Sequence, residues 1–230
     1  MTPLSIIIPT LGEAAGIVDA LTALEPLRKR GVEVIVVDGG SDDATVDVAR
    51  PHCDQLIIAP RGRAYQMNAG AKRANGAVLL FLHADTRLPA DADRLVRDGL
   101  SRSRRTWGRF DVRIAGRHPL LPVIAMMMNL RSRLTGIATG DQAMFVDRAT
   151  FAAVGGFPEL ALMEDIVLSQ RLKRLGHPLC LATRVVTSGR RWETHGVFRT
   201  VMLMWRLRLA FFLGAKPDRL ARIYGYGTTS

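Results

Sequence analysis

Three polar segments, each directly after an apolar run, carry the residue types that bind phosphates, ribose hydroxyls and hard cations: Pro9-Thr10-Leu11-Gly12-Glu13, Asp38-Gly39-Gly40-Ser41-Asp42-Asp43 and His83-Ala84-Asp85-Thr86. Asp38 is placed to accept hydrogen bonds from a ribose or a base, and the glycines and serine behind it can offer backbone N–H groups to an anion. A turn aspartate is the structural alternative. Asp85 follows the apolar run 78–82, so its carboxylate must emerge at an edge, where it could hold Mg2+ or Mn2+. These ions favour oxygen ligands and commonly combine one or two carboxylates with substrate phosphates. His83 lies two residues earlier and, on a continued strand, on the same side, as a Mn2+ ligand or a supporting group. Arg61 and Arg63 precede and open a helix that also carries Asn68 and Gly70. Glu164-Asp165 opens another, whose apolar positions Leu168, Leu172 and Leu175 have helical spacing; acidic residues there ordinarily serve the helix macrodipole. The first run lacks G-x-G-x-x-G, so a single nucleotide fits better than a dinucleotide.

These segments need strands to end at one rim. Strands are expected at 4–9, 32–37, 55–59 and 77–83, with helices at 17–30, 42–50 and 64–74 between them. That alternation builds a mostly parallel sheet covered on both faces, and in such α/β folds ligands bind beyond the carboxyl ends of the strands. After residue 90 the alternation fades: helices are expected at 91–103, 119–134, 164–175 and 197–213, and strands at 109–114, 143–146 and 179–186. No linker divides the chain, which predicts one domain over 1–230, with a nucleotide-binding half at 1–90 and an acceptor-binding half with a helical C-terminal extension at 91–230.

Composition bounds the partners. The 230 residues are 48% hydrophobic and 23% charged, enough for a sizeable core. The 32 Lys and Arg exceed the 21 Asp and Glu to give +11, and all but four of the 32 are arginine. Guanidinium groups bind phosphate bidentately, so phosphorylated small molecules, anionic lipid and nucleic acid are the candidate partner classes, with a solvated basic surface as the alternative. The longest central run without a charged residue, 118–130, is short of the roughly 18–20 residues that span a bilayer. Cys53 and Cys180 have no metal-ligand spacing. The start of the chain reads as a strand without a leader segment, which predicts a cytoplasmic protein.

Together these pieces resemble the family 2 nucleotide-sugar glycosyltransferases of the GT-A fold. The residues that carry the likeness are Ser5 to Thr10 with Glu13, Val36 to Thr45, Asn68-Ala69-Gly70, Phe81 to Asp85 and Glu164-Asp165. Arg61 to Ala64, Gly140-Asp141-Gln142 and Ser188 to Glu193 further resemble a bacterial subgroup labelled arsenosugar-biosynthesis-type glycosyltransferases. The resemblance implies an inverting transferase moving a sugar from a nucleoside-diphosphate sugar to a hydroxyl or phosphate acceptor, with a UDP-sugar the expected donor and Mn2+ or Mg2+ the cofactor. It implies that Thr10, Glu13 and Asp38 contact base and ribose, that Pro9, Arg61, Arg63, Asn68 and Ala84 complete the donor site, and that Asp85 binds the metal. Asp165 would be the general base, Arg191 would reach the diphosphate or else stack on Trp192, and Asp141, Gln142, Glu164 and Trp192 would lie on the acceptor side. Two departures stand out: the family's Asp-X-Asp is His83-Ala84-Asp85, and the Gln-X-X-Arg-Trp of processive synthases is Ser188-Gly189-Arg190-Arg191-Trp192. A nonprocessive enzyme is therefore expected.

The apolar segments 119–134 and 197–213 suggest peripheral contact with the inner face of the membrane and a lipid-linked acceptor, as against a small-molecule one. On a helical wheel, however, Arg199 and Arg206 share a face while Arg208 falls roughly opposite, which points equally to core packing or a homodimer contact. Two rival functions fit less well. A sugar-phosphate nucleotidyltransferase needs a glycine-rich, arginine-containing loop after the first strand, which 9–13 does not supply. A basic membrane- or nucleic-acid-binding module leaves the polar strand ends unexplained, and nucleic acid is not the expected partner.

Overall fold

The computed structural model describes residues 3–225; residues 1 and 2, part of the amino-terminal reading above, lie outside that range. The first half runs β1 (Leu4–Thr10), α1 (Ile17–Thr22), α2 (Glu25–Arg28), β2 (Glu33–Asp38), α3 (Thr45–Ala49), β3 (Gln55–Ile58), α4 (Arg63–Arg73), β4 (Val78–Phe81), β5 (Thr86–Arg87) and α5 (Ala92–Ser103). The second half continues with β6 (Trp107–Ala115), α6 (Leu121–Thr135), β7 (Phe145–Asp147), α7 (Arg148–Ala153), α8 (Glu164–Leu175), β8 (Leu179–Ser188), α9 (Arg190–His195), α10 (Val197–Phe212) and α11 (Pro217–Tyr224). The strands form one sheet in the order β3-β2-β1-β4-β7-β6-β8-β5.

Every residue of β1 is buried because the sheet is covered on both faces. Its alternate side chains feed two cores: Leu4, Ile6 and Ile8 pack with Leu21, Leu27 and Leu100 from one layer of helices, and Ile7 packs with Met67, Leu168 and Leu172 from the other. β1 pairs in parallel with β2 and β4, and β2 with β3, so their carboxyl ends share one rim. Gly70 permits the close seat of α4 on this sheet: a Cβ there would stand 2.5 Å from Ile7 Cγ2 and 3.0 Å from Val37 Cγ2.

Two expectations are corrected. The helix at 17–30 is broken into α1 and α2, because Pro26, which has no N–H and whose ring clashes with the carbonyl four residues back, sits in the first turn of a new helix. The strand at 77–83 stops at Phe81, and His83 to Thr86 forms a turn closed by Thr86 N–H to the His83 carbonyl at 3.0 Å. Strand alternation therefore does not govern how His83 and Asp85 point. β5, α7, α9 and α11 are elements beyond those expected from the sequence. β5 pairs antiparallel with β8, opposing Thr86 to Thr187, and thereby brings the turn to the carboxyl end of β8.

Candidate active site

Two adjoining cavities of about 460 and 500 Å3 open at the rim, each of small-molecule size. Pro9, Thr10, Arg61, Tyr65 and Ala84 line the first. Asp141, Glu164, Asp165, Arg190, Arg191 and Trp192 line the second. Glu13, Arg63, His83 and Asp85 belong to both and form their common wall. Glu159 to Ala161, Asp218 and Ala221, from beyond residue 90, also line the first cavity.

The Asp38 segment builds the loop that carries Glu13. Asp38 is buried, and its carboxylate accepts hydrogen bonds from Gly40 N–H at 2.9 Å, Ser41 N–H at 2.8 Å and the Thr10 hydroxyl at 3.2 Å. Ser41 Oγ in turn accepts from Gly12 N–H at 2.9 Å, and Thr45 Oγ1 accepts from Glu13 N–H at 2.8 Å. Burial pushes the Glu13 carboxyl above its ordinary value, Arg190 and Arg63 pull it down, and Asp85 and Asp43 push it up.

Asp85 presents an exposed side chain to both cavities. Its carbonyl accepts from Ser188 N–H at 3.1 Å, and the Thr86 and Thr187 hydroxyls bond at 3.0 Å, so the β5–β8 pair sets Asp85 beside Arg190 and Arg191. Gly189 makes this junction because any Cβ there would collide with the Ala115 carbonyl of β6. Arg191 stacks on Tyr224 rather than Trp192, with its guanidinium 3.6 Å from the ring centroid and Nη2 donating to the Tyr224 carbonyl at 2.6 Å. Trp192 packs half-buried against the core and lines the second cavity.

The carboxylates of the second cavity are held differently from one another. Asp165 Oδ2 accepts from Gly140 N–H at 2.9 Å and Oδ1 from Ile166 N–H at 2.7 Å, which orients the carboxylate and leaves further lone pairs on both oxygens. Glu164 is 6% exposed, and its carboxyl is pushed up to about 7 by burial first and by the neighbouring Asp165 second. Met163, immediately before it, adopts φ +72, a conformation uncommon for a bulky residue, and a strain of this kind costs about 1–3 kcal/mol. Asp141 Oδ1 stands 3.4 Å from His83 Nδ1; burial pushes its carboxyl up, but the His83 hydrogen bond and charge, with Arg63 and Arg208, hold it below the ordinary range.

Three expected site residues line neither cavity. Asp38 stitches the β1 and β2 ends together as described. Asn68 clamps the loop before α8, donating to the Phe157 carbonyl at 2.8 Å and accepting from Phe157 N–H at 3.0 Å. Gln142 is buried and accepts from Thr139 N–H at 3.2 Å, bracing the Gly140-Asp141 turn. Conversely, Arg208 lines the second cavity, and neighbouring Arg131 buries Nε and Nη2 without hydrogen-bond partners. Burial foremost, then Arg208, push Arg131 down to about 10. Neither arginine belongs to a motif of the sequence; the signal is an arginine among the large apolar residues of its helix.

For a metal, the described residues contain no cluster of three or more His, Cys, Asp or Glu side chains able to hold an ion. The exposed carboxylate of Asp85, on the wall common to both cavities, suits a cation that brings other ligands as water and phosphate oxygens, as Mg2+ and Mn2+ do. His83 is turned to Asp141, and its Nε2 edge packs on Gly140.

Comparison with known proteins agrees with this architecture. Relatives include a PGL/p-HBAD biosynthesis glycosyltransferase of Mycobacterium tuberculosis (strain ATCC 25618 / H37Rv), 40% identical over 100 residues covering 40% of this chain and 39% of that protein. Glycosyltransferase AglE of Haloferax volcanii is 37% identical over 90 residues, 35% of this chain and 30% of that protein. The chain therefore spans about two fifths or less of the curated relatives it matches. Among solved structures, S. aureus TarS 1-349 in complex with UDP-GlcNAc superposes with TM-score 0.66 at 18% identity, over 80% of this chain and 58% of that one. Mannosyltransferase PcManGT from Pyrobaculum calidifontis, in complex with GDP-Man and Mn2+, gives TM-score 0.66 at 19% identity, over 97% and 68%. Both share the expected α/β fold. The family model "Glycosyl transferase family 2" matches residues 5–154, from β1 through α7 and so across every strand end that builds the common wall; the chain belongs to glycosyl transferase family 2.

Proposed function

We propose that this protein is an inverting, nonprocessive glycosyltransferase that moves a sugar from a nucleoside diphosphate, with a UDP-sugar the expected donor, to an acceptor hydroxyl. The observation that carries this reading is the pair of cavities meeting at Glu13, Arg63, His83 and Asp85, one polar at the strand ends and the other holding oriented carboxylates. The first cavity takes the nucleotide against Pro9, Thr10 and Ala84, with Arg61 and Arg63 toward the diphosphate. TarS and PcManGT, which share the fold, are described with UDP-GlcNAc and with GDP-Man and Mn2+ respectively.

In the transfer, the acceptor oxygen forms a bond to the anomeric carbon as the carbon–oxygen bond to phosphate breaks. The bonding pair leaves with the nucleoside diphosphate, and the hydroxyl proton passes to Asp165. Asp165 suits the role of base because two backbone N–H groups hold it in one orientation. Arg63 and Arg190, on the second cavity's wall, favour the negative charge that develops on the leaving diphosphate. Asp85 would hold the Mn2+ or Mg2+, which when bound neutralises the diphosphate. Asp141 and Trp192 bound the acceptor space, Gln142 braces it from behind, and Glu164 remains largely protonated below about pH 7.

Thermal unfolding with UDP- and GDP-sugars, each with and without Mn2+, tests the donor. A rise in Tm that needs both nucleotide sugar and metal, with slow release of free sugar, is expected. An unchanged Tm across the donor panel would refute the reading.

A further inference from the structure

We propose that the outer faces of α6 and α10 dock on an anionic phospholipid bilayer. On α10, Phe198, Met202, Trp205, Leu209 and Phe212 recur at helical spacing, and each is 60–74% exposed. They form one stripe along the whole helix. α6 is inverted from Met126 onward: Asn129 bonds both the N–H and the carbonyl of Val112, and Ser132 is buried against Arg109, while Met126, Met127, Leu130 and Leu134 face outward. A helix serving only a water-soluble fold presents the opposite faces. Single exposed apolar residues are ordinary, but ordered apolar stripes on two helices mark an interaction surface.

Charge selects the occupant. Neither helix carries an acidic residue; of their arginines, Arg131 buries Nε and Nη2, Arg133 pairs with Asp111 at 2.7 Å, and Arg199 and Arg206 are exposed. Arg208, which spoils the amphipathic wheel, lines the second cavity, so the stripe is left with Arg199 and Arg206 about 80–100° round the helix beside it. A second copy meeting this face symmetrically would bring arginines toward arginines with no carboxylate on either helix to pair them. An anionic leaflet supplies the missing charge, and Trp205 is the residue type that settles at headgroup depth. No helix among the described residues is long and apolar enough to cross a membrane, so the proposed contact lies on the surface.

The inner faces of the same helices, at Met128, Thr200, Met204 and Leu207, wall the second cavity. Docking therefore sets that cavity beside the lipid, within reach of an acceptor hydroxyl anchored in the same bilayer. That consequence, unlike the docking, rests on the glycosyl-transfer reading.

The test is co-sedimentation of the 230-residue chain with phosphatidylcholine vesicles, with and without phosphatidylglycerol, in the absence of any nucleotide sugar, so that failure leaves the transferase reading untouched. Binding is expected to the anionic vesicles and to weaken with salt. Arg199→Gln and Arg206→Gln should each lower it about fivefold. Met202→Glu with Trp205→Glu should lower it more than about tenfold with an unchanged thermal melt, since both side chains already face solvent. Trp205 fluorescence should shift to the blue on binding. Equal binding to both vesicle types, no binding, or a dimer in sedimentation velocity that the double substitution dissolves without any vesicle binding would each overturn the proposal.

Discussion

Replacing Glu164 with glutamine isolates one electrostatic element of the second cavity. The carboxyl is buried and lies beside Asp165, and it titrates in the folded protein at about 7 against an ordinary 4.5. Below about pH 4.5 the folded and unfolded chains both hold the proton, so Glu164 has no effect on the equilibrium. Between about 4.5 and 7 the unfolded chain releases the proton while the folded chain keeps it. Folding is progressively penalised as pH rises, and above about 7 the penalty is complete. At about 1.4 kcal/mol per pH unit, this amounts to up to about 3 kcal/mol. Glutamine has nearly the same shape and never ionises. Glu164→Gln should therefore be close to neutral at pH 4.5 and should stabilise by up to about 3 kcal/mol at pH 8, with the difference developing across that interval. Urea denaturation at a series of pH values measures it. Asp165→Asn removes the second contribution and should recover part of the gain even where Glu164 is intact. A Glu164→Gln effect that is the same at pH 4.5 and pH 8, or that destabilises more as pH rises, would refute the account of Glu164 as a carboxyl kept neutral by burial.

Asp165→Asn should lower the transfer rate by about 10^2–10^4-fold while leaving donor affinity within about threefold, as read by single-turnover kinetics and nucleotide titration; equal losses in both would remove Asp165 from the role of base. Asp85→Ala should abolish the Mn2+-dependent part of the thermal shift with a nucleotide sugar, and an unaltered metal dependence would place the cation elsewhere. Gly70→Ala should cost about 1–3 kcal/mol in chemical denaturation, because its methyl would approach Ile7 Cγ2 to 2.5 Å under a helix pinned on the sheet.

Much of the fold was legible because its signals are local. The alternation of short apolar runs with helical spacing placed β1, β2, β3, α4, α5 and α8 closely, and polar residues at the end of β1 and just beyond β4 marked the rim where the cavities open. Glu164 does begin α8, as its apolar periodicity required. What local pattern could not decide is which polar side chains remain available to a ligand. Asp38 and Asn68 belong to segments that carry the family likeness, and in the structure both hydrogen-bond to other parts of the chain. Asp38 holds the N–H groups of Gly40 and Ser41 beside it and the Thr10 hydroxyl 28 residues away, and Asn68's partner is 89 residues away. Asp85 shares a cavity with Arg190 and Arg191 because a two-residue strand pairs with β8, about a hundred residues later, and so short a strand has no periodicity to read. Arg208 likewise looked like a defect in an amphipathic helix until packing turned it into the cavity and left an apolar stripe outside. Apolar spacing and turn chemistry act within a few residues, and so the sequence by itself determined most of the longer elements and the rim. Partners for charge and hydrogen bonds are chosen across the sheet by packing, and that choice belonged to the tertiary structure alone.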